Sequence, residues 1–199
     1  VGVALFLLRL LWVSPLLVAG VVVAAFIAGI CARVVGGVKD RGAHVVVAGV
    51  VAAVAAVVSS VYGVVRHLRF GSGSWDHGCY LHNAWLFGHG RAFSTTAASS
   101  VLGDAAFWGG TNHFMPSLVF TGPIDWLMEA TGSTSLLLVA QAVVVCAAAL
   151  PLAALARRRG LSLPTTTALG GCYRVHMGTQ AALLFDVHEI APVPLLLFL

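Results

Sequence analysis

Charge is what this chain has least of. Only 9% of its 199 residues are Asp, Glu, Lys or Arg, with seven acids against eleven bases. Soluble domains carry about 25% charged residues, so a water-soluble globular fold does not fit. No basic stripe with interleaved aromatics is present, which argues against nucleic-acid binding. There are four cysteines and no CxxC pair. Cys31, Cys146 and Cys172 sit in apolar runs and read as small apolar residues; Cys79 alone lies in a polar stretch. No internal repeat is visible, although inverted-repeat transporters usually show one. What is there is apolar: 59% of residues are hydrophobic and the mean hydropathy is +0.96. These values predict an all-α, multi-pass membrane protein.

A helix needs about 20 apolar residues to cross a bilayer. Leu10 to Ala32 is uncharged between Arg9 and Arg33, and Pro15 is tolerable in a membrane helix. Ala43 to Val65 is a second uncharged run, in which Gly49, Ala53 and Ala56 suit close helix packing. Thr134 to Ala156 is a third, stopped by Arg157-Arg158-Arg159. Leu161 to Leu184 is weaker, because Arg174 and His176 fall inside it. Ile190 to Leu199 supplies half of a fifth, so a longer protein is expected. The first run has no clear cleavage site and does not read as a signal peptide.

Positive charge marks cytoplasmic loops. The turn with Arg33, Lys39 and Arg41 and the triple Arg at 157–159 are therefore placed inside. The stretch 66–133 becomes a long outer loop, and Arg66 and Arg69 mildly violate the rule. Phe114 to Met128 holds Pro116, Pro123 and Asp125 and is too short to cross, so it reads as interfacial or re-entrant.

Six of the seven acids fall in two polar breaks: Asp76, Asp104, Asp125 and Glu129 in the long loop, and Asp186 and Glu189 in the run Phe185-Asp186-Val187-His188-Glu189. Acids beside membrane spans are costly and mark candidate sites. If Leu161 to Leu184 crosses, both breaks face outside. Ser74 or Asp76 suits the N-cap of a short helix running to about Gly88. On it Asp76, Tyr80, Asn83 and Phe87 share a face, while Leu81, Trp85 and Leu86 press against the membrane surface. Asp186 and Glu189 stand at i, i+3, with His188 between them to manage a proton near neutral pH. Asp104, Asp125 and Glu129 read as solvated loop charges. His77, Cys79, His82, His89 and His113 offer good zinc donors, but their spacing matches no strong metal signature. No metal ligand is assigned, although the chemistry is compatible with a divalent ion.

Four elements in order carry a resemblance. They are Ser74-Trp75-Asp76 with Trp85 and Gly90-Arg91; Asn112-His113-Phe114-Met115-Pro116; Gln141 with Leu150-Pro151-Leu152; and Phe185-Asp186-Val187-His188-Glu189. Over about Tyr62 to Leu199 they resemble a bacterial family of polytopic membrane proteins, domain of unknown function two-zero-seven-nine. That family is similar to GT-C-type glycosyltransferases, which take sugars from polyprenyl-phosphate carriers. The resemblance implies a GT-C-like bundle whose long outer loop carries interfacial helices. Four features depart from the pattern: Asn112 replaces a frequent Asp, Val187 a frequent Phe, His77 an apolar residue, and Arg174 and His176 make their span unusually polar.

The resemblance implies Asp76 as catalytic base. Arg91, His113, Arg174, Asp186, His188 and Glu189 are the expected substrate-binding residues, with Arg91 or Arg174 meeting a lipid phosphate. The expected partners are membrane lipid and a polyprenyl-phosphate sugar at the outer face of the bacterial plasma membrane. Two other function classes stand beside this one. A transporter or channel would line its path with Arg174, His176 and Asp186; a non-catalytic scaffold would need none of them.

Overall fold

The computed structural model describes residues 43–72, 74–91, 120–188 and 190–199, with backbone alone at 43 and 74–76. The expected first span, the turn after it, Asp104, Asn112, His113 and Glu189 lie outside the described residues. Among the described residues all regular structure is helical, as composition predicts.

Helix α1 (Ala43–Leu68) is an uninterrupted run of mostly Val and Ala until its last turn. At 1.5 Å per residue it is about 39 Å long, more than a bilayer core. It closes with paired backbone bonds from Phe70 N–H to His67 O (2.9 Å) and from Gly71 N–H to Arg66 O (2.8 Å). That closure needs one left-handed residue, usually glycine. Here it is Phe70, at φ 56°.

Helix α2 (Ser74–Gly88) follows within a few residues, as the capping signals predict, and α3 (Thr121–Thr131) packs across it. Helices α4 (Leu136–Ala147) and α5 (Ala149–Arg158) form one apolar stretch with a break at Ala148. Pro151 explains the break, because it has no N–H to offer the carbonyl of Ala147. Helix α6 (Leu163–Val175) starts on a Ser162 cap with Pro164 in its first turn. Helix α7 (Met177–Leu184) restarts after His176, whose ring accepts a bond from Gly178 N–H at 3.2 Å. Helix α8 (Val193–Leu197) is a single turn and more.

Among the described residues two helices are long and apolar enough to cross a membrane: His44–Leu68 and the combined stretch Leu136–Arg158. They pack along their length. The ridge that α1 presents is Gly49, Ala52, Ala56, Ser59 and Gly63. An added Cβ at Gly49 would meet Leu150 at 3.8 Å, and one at Gly63 would meet Leu138 at 3.6 Å. Small residues let the backbones approach, which is how helices associate where no hydrophobic driving force exists between them. Ala53, expected on this ridge, faces outward instead. Helix α6–α7 runs the length of the pair as a broken helix. Thr166 lies beside His44 at one end, and residues 184–186 lie beside Arg66 at the other.

The outer surface supports a lipid environment. Val46, Val50, Val57 and Val61 form one exposed stripe on α1, and Val57 is 62% accessible. A buried soluble helix would cover such a face, whereas a stripe this long in water would be a liability. At the Arg66 end and on α2 and α3, Phe70, Trp85, Phe120 and Trp126 are exposed. Exposed aromatic residues beside a span suit a membrane–water boundary.

Candidate functional site

The two polar breaks meet at one end of the bundle. Arg66, in the last turn of α1, donates to the Leu184 carbonyl and to the Asp186 carboxylate. The first bond satisfies an orphan carbonyl at the end of α7; the second holds a carboxylate that is only 5% accessible. The apparent violation at Arg66 therefore has a local cause: its guanidinium pairs with Asp186.

Gln141 fixes the same turn from the other side. It sits on α4 inside a run of Leu, Val and Ala. Its amide donates to the carbonyls of Ala182 (2.7 Å) and Asp186 (3.2 Å), and its carbonyl accepts from His188 N–H at 2.6 Å. One side chain thus satisfies three backbone groups where no regular structure does.

Helix α2 brings the first break to this point. His77, in its first turn, is 3% accessible, and its ring lies 4.5 Å from the His67 ring. Neither ring nitrogen of His77 has a hydrogen-bond partner among the described residues. Burial pushes its pKa down, and the neighbouring His67 and Arg66 add to that while Asp186 opposes it. His67 is held by Ser72 Oγ at 2.7 Å and Thr134 Oγ1 at 3.3 Å. The Tyr80 ring stands 6.4 Å from that of His188. Asp76 is the residue before His77 in the same first turn.

The inward face of α2 is His77, Tyr80, Asn83, Ala84 and Leu86. Tyr80 and Asn83 share it as expected. Leu86, expected against the membrane, is 3% accessible and packs into the protein, while Trp85 stays exposed.

Other sequence-derived candidates lie elsewhere. Arg174 is buried inside the bundle, donating to Cys146 Sγ (2.9 Å) and Ser59 Oγ (3.4 Å). Ser59 is seven residues before Arg66, so this contact lies about 10 Å deeper along α1. His176 caps α7 and is exposed on the outside of the bundle. Arg174, His176 and Asp186 therefore do not line one path. Arg91 is exposed just beyond α2, with its guanidinium 5.9 Å from the Trp85 ring centre. Along the helix it is about 22 Å from Asp76.

Among its described members, His77, Cys79, His82 and His89, the histidine and cysteine constellation does not converge either, because His77 is drawn into the Arg66 cluster. His89 instead meets two acids of α3, Asp125 and Glu129. Glu129 is exposed as expected, but Asp125 is not a solvated loop charge: it is 4% accessible. Burial pushes the Asp125 pKa up, and Glu129 adds to this while His89 opposes it. Sequence reasoning also passed over Arg66 and Gln141 as site residues. Each had a signal: a cation on the wrong side of a span, and a lone amide inside one.

No curated protein and no solved structure matches the chain. A family model described as "Predicted membrane protein (DUF2079)" matches residues 66–199. Its start lies close to Tyr62, where the resemblance begins, and it takes in both polar breaks. The larger part of the chain is matched, and the protein belongs to this family of predicted membrane proteins.

Proposed function

We propose that the protein is a GT-C-like glycosyltransferase that uses a polyprenyl-phosphate sugar at the outer face of the bacterial plasma membrane. The observation that carries this reading is the meeting of the two polar breaks, through His77 and the Asp186–His188 turn, around the half-buried cation Arg66. The reaction needs a base and a cation at the membrane boundary; Asp76 precedes His77 in the first turn of α2, and His77 packs in the cluster that holds Arg66.

In this reading Asp76 takes the proton from an acceptor hydroxyl. The acceptor oxygen forms a bond to the anomeric carbon, and the bond from that carbon to the lipid phosphate breaks. The phosphate leaves with the electron pair, and fixed positive charge stabilises it. Arg66 is better placed for this than either cation expected from sequence. Arg91 lies about 22 Å from Asp76, and Arg174 about 10 Å deeper than Arg66. Asp186 and Gln141 act on the site through Arg66 and the 185–188 turn, as positioning residues.

The test is Asp76→Asn in the full-length protein, with transfer from a labelled lipid-linked sugar as the readout. A positioned general base contributes roughly 10²- to 10⁴-fold, so transfer should fall by at least about a hundredfold. Unchanged transfer would remove Asp76 from the mechanism. Binding of polyprenyl-phosphate sugars to wild type separates an enzyme from a scaffold, since a scaffold shows no specific binding.

A further inference from the structure

A second polar cluster lies at the other end of α2, and it is built by close backbone contact. Helices α2 and α3 cross at Gly88 and Gly122. A Cβ on Gly122 would stand 3.3 Å from the backbone carbon of Phe87, and one on Gly88 would stand 2.3 Å from Asp125 Oδ2. The crossing is tied by Trp126 Nε1, which donates to the Gly88 carbonyl at 3.0 Å. It carries Asp125 under the end of α2 and sets Glu129, one turn later on α3, beside His89.

We propose that His89, Asp125 and Glu129 form a divalent-cation site of the zinc class. One donor atom from each of the three lies within 4.8 Å of the others. His89 Nδ1 is 2.9 Å from the Trp85 carbonyl. A carbonyl only accepts, so Nδ1 carries the hydrogen and neutral imidazole presents its lone pair at Nε2. A ligating histidine usually has its second nitrogen held in this way. Nε2 stands 3.5 Å from Glu129 Oε1. That is long for a charge-assisted hydrogen bond, which is about 2.7–2.9 Å. It matches two ligands each about 2.1 Å from a tetrahedral ion, which stand about 3.4 Å apart.

Asp125 supplies the independent observation. It is 4% accessible, its Oδ2 faces His89 Nδ1 at 3.6 Å, and that oxygen has no hydrogen-bond partner among the described residues. A buried carboxylate oxygen without a donor calls for a water, a proton or an ion, and the two further ligand residues beside it favour the ion. One nitrogen and two carboxylate oxygens form a donor set that Zn²⁺ accepts, with water in the remaining position. His89 is 13 residues from Asp76, about 20 Å along α2. The ion would clamp α2 to α3 and stand apart from the proposed reacting centre, so this inference does not rest on the glycosyl-transfer reading.

The experiment uses the full-length protein in detergent, stripped with a chelator and titrated with Zn²⁺ by calorimetry. One Zn²⁺ per chain is expected to bind and to raise the thermal midpoint. Glu129→Gln alters an exposed side chain and keeps the fold, and it should weaken binding more than about tenfold, as should His89→Ala. The Zn²⁺-dependent rise in midpoint should vanish in His89→Ala. Absence of stoichiometric binding would overturn the proposal. Binding that both substitutions leave unchanged would overturn it too, by placing the ion elsewhere.

Discussion

Removing the guanidinium of Arg66 should cost more stability than neutralising its partner. Arg66→Met keeps the side chain's length but leaves the Asp186 carboxylate buried without its cation, and leaves the Leu184 carbonyl without a donor. Breaking a buried pair from one side costs about 3–5 kcal/mol, and the lost carbonyl bond adds about 1 kcal/mol. Asp186→Asn is milder. The amide oxygen still accepts from Arg66, and the Arg66 side chain is 21% accessible against 6% for Asp186, so the stranded cation can reach water. About 1–3 kcal/mol is expected for that change. The double variant Arg66→Met, Asp186→Leu removes both charges and should recover much of the loss, because a desolvated pair can often be replaced by apolar groups. Reversible unfolding in mixed micelles, followed by near-ultraviolet circular dichroism, gives all three values and their coupling. If Arg66→Met proves no more costly than Asp186→Asn, the burial argument fails. If the double variant loses the sum of the singles, the two residues are not coupled as described.

Three further changes test the local reasoning. The His77 pKa is pushed below its ordinary 6.5 by burial. Below that pH the unfolded chain therefore binds a proton that the folded one resists, and stability should fall as pH drops through 6.5. His77→Phe should flatten that slope between pH 7.5 and 5.5 in the same unfolding assay, and an unaltered slope would show that His77 does not set it. Gln141→Leu removes three bonds to the 182–188 backbone. Side-chain bonds within membrane bundles average about 0.6 kcal/mol, so a loss of about 2 kcal/mol is expected, with faster hydrogen exchange at His188 N–H; protection equal to wild type there would contradict the pinning role. Gly88→Ala puts a methyl 2.3 Å from Asp125 Oδ2, and overpacking of this kind costs about 1–3 kcal/mol. The variant should also expose Trp126 to fluorescence quenching more than wild type, and equal quenching would mean that the crossing adapts without strain.

Composition and periodicity were enough to specify an apolar helical protein, because lipid requires each backbone group to bond within its own segment. They also located α2 between Ser74 and Gly88, and they singled out the 185–189 turn, since three ionisable residues in four positions are rare beside an apolar run. Family membership was legible from motif order for the same reason: polar residues are few and their spacing carries information.

What sequence could not supply were the pairings across distance. Charge bias counts Arg66 as a topological irregularity, and only its contact with Asp186, 120 residues later, turns it into a site residue. The expected ridge on α1 was displaced to Ala52 in place of Ala53, because the face a helix presents depends on its neighbour as well as its own small residues. Asp125 reads as solvated in any local window; its burial depends on how closely two glycines let α2 and α3 approach. Local chemistry thus determined the elements and their affinity for the membrane. Tertiary packing decided which charges are buried, and a buried charge must find a partner because water no longer screens it.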